Sequence, residues 1–72
     1  MRVHVILTGD VRGHRGLIVE DATADDVASW RRTATETPDA TLTFERARIH
    51  LGLATFSRGS CRAGDIVDIR PI

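Results

Sequence analysis

Seventy-two residues are enough for one domain, and ten basic and ten acidic side chains give the chain a formal net charge of zero. Most nucleic-acid-binding proteins carry a basic excess that neutralises phosphate, so the charge balance argues against that class. A core this small rarely encloses a catalytic pocket of about 300 Å³, and the absence of lysine excludes Schiff-base chemistry and a Walker-type phosphate loop.

The first twenty residues predict a β-hairpin. In Arg2–Thr8, Val3, Val5 and Leu7 would point one way and the residues between them the other, which is the period of a half-buried strand. The next eight residues, Gly9–Gly16, contain three glycines and predict a turn or loop. A short β-branched run, Leu17–Glu20, then predicts the second strand of the hairpin.

A helix is predicted to begin after residue 22. Thr23 can cap the first turn, where Asp25 and Asp26 would interact favourably with the helix dipole. Pro38 ends the segment. A stripe at helical spacing between these limits consists of Val27, Trp30, Arg31 and Ala34.

The middle of the chain allows two interpretations. Residues Thr41–Glu45 alternate and predict a strand with Leu42 and Phe44 facing inward, and Arg48–Leu51 would form another short strand. A helix is the alternative, because four residues also fit a helical stripe: Phe44, Ala47, Leu51 and Ala54. The sequence therefore leaves residues 46–56 open between strand and helix.

The last twenty residues predict a turn-rich connection followed by a closing strand. The connection covers Leu53–Arg62 and carries two apolar residues, Phe56 and Cys61. After a turn at Gly64 and Asp65, the strand Asp65–Arg70 should point Val67 and Ile69 inward.

The closing segment carries the strongest family resemblance. Residues 55–69, TFSRGSCRAGDIVDI, resemble the ubiquitin-like pattern T-L-S-D-Y-G-I-x-x-G-D-x-V-x-I, with Phe56 and Cys61 at the two positions that plug the core. The resemblance implies an α+β fold of the β-grasp type, a mixed four- to five-stranded sheet packed on one helix over residues 1–72. It also implies that the first and last strands are central neighbours in the sheet.

The chain is most similar to small bacterial members of this superfamily, the YukD/EsaB-like ubiquitin-like proteins of type VII secretion. These proteins share its length and a helix with a tryptophan, here Trp30. All ten basic residues are arginine, and asparagine, glutamine and tyrosine are missing. That composition is typical of a high-GC genome and suits an actinobacterial source.

Several residue types could carry chemistry, and each has a simpler structural interpretation. Cys61 has no neighbouring general base and is expected in the core, as a small apolar side chain. Trp30 is also expected in the core, because it lies on the helical stripe with Val27 and Ala34. The three histidines, whose spacing matches no metal-site signature, are His4, His14 and His50.

The charged clusters are interpreted in the same way. Asp25 and Asp26 are expected to complement the helix N-terminus rather than to bind a cation with Asp21. The small basic cluster Arg12, His14 and Arg15 is expected to be a solvated loop tip rather than a phosphate site. No metal and no cofactor are therefore expected.

The lone cysteine cannot form an internal disulfide, and the sequence shows no signal peptide and no long apolar run. We therefore expect a cytoplasmic protein without membrane insertion.

The resemblance places partner binding on the outward face of the first and last strands. Glu45 would extend this face, whose residues are His4, Ile6, Ile66, Asp68 and Arg70. The alternative is an ordinary solvated sheet face.

The leading functional hypothesis is a non-catalytic ubiquitin-like protein-interaction module, an accessory of type VII secretion, with a protein partner and no nucleic acid. One alternative is a relative of the sulfur carriers. Sulfur carriers need a Gly-Gly carboxyl terminus, whereas this sequence ends Arg70-Pro71-Ile72. The other alternative is a phage-encoded accessory protein that binds a host factor.

Overall fold

The computed structural model describes residues 1–11, 14–49 and 55–72, with residues 9–11, 14 and 15 described as backbone alone. This part of the chain forms a small α+β fold in which one helix packs on a five-stranded sheet. None of its helices is long and apolar enough to cross a membrane. The elements in chain order are β1 (Val3–Val11), β2 (His14–Val19), α1 (Ala24–Glu36), β3 (Thr41–Ile49), β4 (Ser57–Arg62), a 3₁₀ turn (Ala63–Asp65) and β5 (Ile66–Pro71).

The strands lie in the order β4-β3-β2-β1-β5, and each neighbouring pair is antiparallel. The predicted mixed sheet is therefore wrong. The first and last strands are neighbours, as expected, but β5 is an edge strand and not a central one. The direction of β5 follows from its entry point, because the 3₁₀ turn delivers Ile66 opposite Leu7 and the strand then runs back to place Pro71 opposite Val3.

The short connection between β4 and β5 shows that the sheet is strongly curled. These strands occupy opposite edges, which would be about 19 Å apart in a flat sheet of five strands. The path from Arg62 to Ile66 passes only through the 3₁₀ turn and can span at most about 14 Å. The two edges must therefore approach each other, as in a partly closed barrel.

The inner face of the curled sheet carries the core, and α1 covers it. Phe44 is 2% exposed and meets Trp30 of α1 edge to face, with ring centroids 4.9 Å apart. Val27 and Trp30 pack on the core from the helix, as their spacing predicts. The buried residues of this cluster are Val3, Val5, Val19, Ala22, Phe44, Ala47 and Ile69.

Both ends of α1 agree with the sequence. The Thr23 hydroxyl accepts a hydrogen bond from the Asp26 amide, and the Asp26 carboxylate accepts one from the Thr23 amide, each at 3.0 Å. This reciprocal capping box satisfies two backbone donors that an open helix end would leave without a partner. The helix ends at Glu36, two residues before Pro38.

The middle of the chain is one long strand over the residues that the structure describes. β3 runs from Thr41 to Ile49, so a helix over Phe44–Ile49 is wrong. A register shift against β4 between Phe44 and Ala47 leaves both Glu45 and Arg46 exposed. This bulge puts two buried residues three positions apart, which imitates helical spacing. The remainder of that interpretation, at Leu51 and Ala54, lies outside the described residues.

Two predicted loops are shorter in the structure. The hairpin of β1 and β2 is confirmed, but strand pairing continues to Val11 and resumes at His14, so the loop Gly9–Gly16 was predicted too long. Likewise Ser57–Arg62, predicted as part of a connection, forms β4. Glycine weakens the strand signal in both segments, and pairing with a neighbouring strand overrides it.

Candidate functional site

The register between β1 and β5 brings four of the predicted contact residues together. His4 lies directly opposite Arg70, and Ile6 lies directly opposite Asp68. Directly opposed residues of an antiparallel pair share one face, and here it is the face opposite Val3 and Val5. We call this outer-face cluster of His4, Ile6, Asp68 and Arg70 the docking patch.

The fifth predicted residue, Ile66, is not part of the docking patch. Ile66 pairs with Leu7 while Asp68 pairs with Ile6, so Val67 is an extra residue in β5. This bulge turns Ile66 towards the core, where it packs against the buried cluster, and leaves Val67 62% exposed. The predicted inward position of Val67 is therefore wrong, whereas that of Ile69, which is 1% exposed, is confirmed.

Asp68 holds the charged end of the docking patch in place. One carboxylate oxygen accepts a 2.7 Å hydrogen bond from Arg70 Nε, and the other accepts a 2.8 Å bond from the Ile69 amide. These two donors, Arg70 first, hold the pKa of the Asp68 carboxyl below its usual value. The Arg70 side chain remains 70% exposed, so its guanidinium can meet a partner.

The outer face beyond β1 is covered by an aromatic ring among arginines. The Phe56 ring lies 5.6, 5.9 and 5.4 Å from the guanidinium carbons of Arg2, Arg46 and Arg48. The predicted core position of Phe56 is therefore wrong. Phe56 shares the alternation of Arg58, Ser60 and Arg62 in β4, whose side chains point away from the core.

Ile18 is the buried centre of this covered region. It lies on the outer face between its two cross-strand partners, His4 and Arg48, and is only 2% exposed. The two halves of the outer face therefore differ. The β2–β3 half has a small apolar centre of its own, and the β1–β5 half presents the docking patch.

Ion pairs continue across the outer face. Arg2 donates to both carboxylate oxygens of Glu20, with a closest distance of 2.9 Å. These hydrogen bonds raise the pKa of Arg2 and lower the pKa of Glu20. Arg58 pairs with Glu45 at 3.3 Å. Glu45 therefore belongs to the β3–β4 end of the sheet and does not extend the docking patch, because β2 lies between β3 and β1.

Several residues that were interpreted as structural make structural contacts. Cys61 is half-buried and packs against the core, and its burial, with Asp65 as a weaker cause, raises the pKa of its thiol. Asp26 caps α1, and Asp21 pairs with Arg46 at 3.1 Å. Among the described residues, no three histidine, cysteine or carboxylate side chains are grouped so that they could hold a metal ion. The side chains outside them include Arg12, His14, Arg15 and His50.

A depression of about 320 Å³ lies beside Trp30 and Phe44, and four carboxylates line it. Its four carboxylates already have partners: Glu20 bonds Arg2, Asp21 bonds Arg46, Asp26 bonds the Thr23 amide, and Glu45 bonds Arg58. Arginines therefore neutralise three of these carboxylates, and the fourth, Asp26, serves as a helix cap.

Arg31 is a residue whose position the sequence did not predict. Its guanidinium crosses from α1 to donate a 2.6 Å hydrogen bond to the carbonyl oxygen of Ile69 in β5. Together with Val67 and Asp68 it lines a groove of about 390 Å³ between the helix and the edge of the sheet. The helical spacing of Arg31 with Trp30 and Ala34 predicted that these residues lie on one side of α1. Spacing alone does not identify the strand that Arg31 contacts.

Comparison of the chain with protein-family models, with curated proteins and with solved structures finds no match in any of the three.

Proposed function

We propose that the protein is a non-catalytic protein-interaction module that contacts its partner through the docking patch. The observation that carries this proposal is the cross-strand register of His4 with Arg70 and of Ile6 with Asp68. That register gathers an aliphatic, an aromatic and two charged side chains from opposite ends of the chain into one surface.

The chemistry of the docking patch suits a modest interface. Ile6 is half-buried and can supply an apolar centre, while the exposed Arg70 can supply the kind of anchor that protein interfaces favour. Asp68 holds the guanidinium before any partner arrives, so less side-chain freedom is lost on binding.

The ubiquitin-like relationship belongs to the same proposal. The pairing of the first strand with the last, and the single helix on the sheet, support it. The antiparallel direction of that pairing and the edge position of β5 count against it. A role beside type VII secretion and a cytoplasmic location remain predictions from the sequence, and no structural feature favours the sulfur-carrier or phage alternative over them.

The proposal is tested by affinity capture from the native host with substituted chains as bait. The double variant Ile6→Glu with Arg70→Glu should lose a partner that the parent protein retains. Each true anchor should cost about 2 kcal/mol of binding, roughly thirtyfold in affinity. The milder variant Arg70→Ala guards against a folding defect in the double variant, and circular dichroism checks the fold of each.

Arg32→Glu is the matched control, since Arg32 is exposed on α1 and lies outside the docking patch. Retention of the same partner by the folded double variant and by Arg70→Ala would rule out the docking patch as the contact surface.

A further inference from the structure

The two edges of the sheet differ, and β5 is a closed edge, meaning that its outward backbone groups are occupied or absent. The carbonyl oxygen of Ile69 accepts from Arg31 at 2.6 Å, and the Ile69 amide donates to Asp68 at 2.8 Å. Both backbone groups of Ile69 therefore point away from β1 and are already occupied. Pro71, two residues on and facing the same way, has no amide hydrogen to offer. These features prevent another strand from pairing along β5.

The residues that the structure describes give the opposite edge, β4, no comparable protection. Among the described residues, the backbone of Ser57–Arg62 is bonded to β3 on one side, and no side chain bonds to its outward groups. The strand contains no proline. An edge of this kind is a template on which a further strand can form.

We propose that β4 accepts an extended acidic segment of a partner protein as a sixth strand of the sheet. This inference does not rest on the docking patch, which lies at the other edge of the sheet.

The charge of the β4 side chains indicates the acidic character of the occupant. Arg58, Ser60 and Arg62 alternate on the outer face, and the side chains of Arg58 and Arg62 are 71% and 59% exposed. Each arginine makes a single 3.3 Å contact to a carboxylate, Glu45 or Asp65. Exposed pairs of this kind contribute little, so a carboxylate placed directly across the strand can compete for either guanidinium.

The inner side of β4 sets the other half of the expected pattern. Gly59 and Cys61 alternate with the arginines and face the core side, where Cys61 packs against the buried cluster. Residues of the added strand opposite them would lie next to apolar surface. The expected segment therefore carries acidic residues four positions apart on one face and apolar residues on the other.

A second copy of this chain fits β4 less well. Two β4 strands paired about a twofold axis at Ser60 would place Arg58 of each copy opposite Arg62 of the other, and like charges in that position destabilise a sheet. Pairing of β4 with β5 of another copy is opposed by the closed edge around Ile69.

The experiment measures binding of a dye-labelled peptide, Thr-Val-Glu-Val-Thr-Val-Glu-Val-Thr, to the full chain by fluorescence anisotropy. A matched peptide with arginine in place of both glutamates is the control. We expect the acidic peptide to bind at least tenfold more tightly than the basic one. In the double variant Arg58→Glu with Arg62→Glu this preference should reverse, which a variant that merely unfolded could not produce.

Two further peptides, methylated on alternate sets of backbone nitrogens, test strand addition itself. The set of amides that faces β4 should be essential, so one of the two peptides should lose binding. Equal binding of both methylated peptides and the parent peptide would overturn the proposal. So would a nine-nucleotide oligothymidylate that binds as tightly as the acidic peptide and depends on the same arginines, because that result would identify a general polyanion site.

The protein with Arg70→Glu should bind the acidic peptide as the parent does. Failure of the docking patch and failure of the β4 edge are thus separate results.

Discussion

Gly16 lies at a position of the hairpin where the backbone accepts only glycine. Its φ is +124°, and a Cβ at this position would lie 1.9 Å from the carbonyl oxygen of Val5. Gly16 pairs with Ile6, so the close approach lies beneath the docking patch. Only glycine combines this backbone conformation with so short a distance between strands.

Replacement of Gly16 by alanine should destabilise the protein by more than about 1 kcal/mol, because the new methyl group is strained by both φ and contact. Urea unfolding followed by circular dichroism measures the loss. Ser60→Ala on the exposed side of β4 serves as the control and should change stability by less than about 0.5 kcal/mol. A similarly small loss in the Gly16 variant would contradict the close approach.

At the scale of single residues, the sequence correctly predicted features that depend only on neighbouring residues. The cap at Thr23 and Asp26 needs only residues three positions apart, so its pattern is sufficient. The turn at Gly64 was predicted for the same reason, and there the amide of Gly64 donates to Pro38 at 2.8 Å. Phe56 was misplaced because its burial depends on Arg2, which precedes β1, and on two arginines of β3, and no local pattern connects these residues to it.

At the scale of elements, a bulge in β5 accounts for the wrong faces predicted for Ile66 and Val67, and a bulge in β3 accounts for the helical alternative. β3 and β5 each bury residues three positions apart, Phe44 with Ala47 and Ile66 with Ile69, since each strand carries one extra residue against a neighbour. Strict alternation therefore predicts the wrong face on one side of each bulge. The sequence correctly placed the four residues of the docking patch on one face and wrongly placed Ile66 there, on the far side of the β5 bulge. Partner binding at this face stays a prediction.

The contact between Arg31 and Ile69 joins two elements and yields a prediction about the edge strand. Arg31→Ala should cost about 1–2 kcal/mol, because a carbonyl bonded by a charged donor loses its partner. It should also promote self-association, since an unprotected edge can pair with another chain. Urea unfolding and size-exclusion chromatography at rising concentration measure the two effects.

The neighbouring exposed residue supplies the control for this experiment. Arg32→Ala removes the same charge from the same helix and should leave both readings near those of the parent. If the two variants had the same stability and the same tendency to self-associate, the hydrogen bond from Arg31 would neither stabilise the fold nor protect the edge.

At the scale of the whole molecule, the sequence predicted the helix and several strands better than it predicted the order and direction of the strands in the sheet. A hairpin, a capped helix and a closing strand were recognisable from periodicity. The curled sheet was not, because its curvature follows from the three-residue link between β4 and β5, and nothing in the link specifies which edge each strand will occupy. Order and direction of strands are set by contacts between distant segments.

The stability of the whole molecule should depend on pH through two carboxylates. The pKa values of Glu20 and Asp68 are lowered in the folded protein by Arg2 and Arg70. A lowered pKa contributes stability that is present above the unfolded-state value, near 4, and is lost as the pH falls through the folded-state value.

The double variant Glu20→Gln with Asp68→Asn should therefore be less stable than the parent at pH 7, with a difference that shrinks as the pH falls below the unfolded-state value of about 4. Urea midpoints measured across this range provide the comparison. A difference that stays constant with pH would mean that the two carboxylates do not stabilise the fold through their charge.

The pairing of β1 with β5 also bears on how the protein folds. Val3 meets Pro71, so the first strand finds one of its two neighbours only after residue 71 has been synthesised. Until then, the edge of β1 is unpaired and the Ile69 side of the core is missing. Contacts between such distant segments raise the contact order, which slows folding towards the millisecond-to-second range typical of β-rich domains. Closure of the sheet is therefore a late event, in which β5 completes the core and the docking patch in the same step.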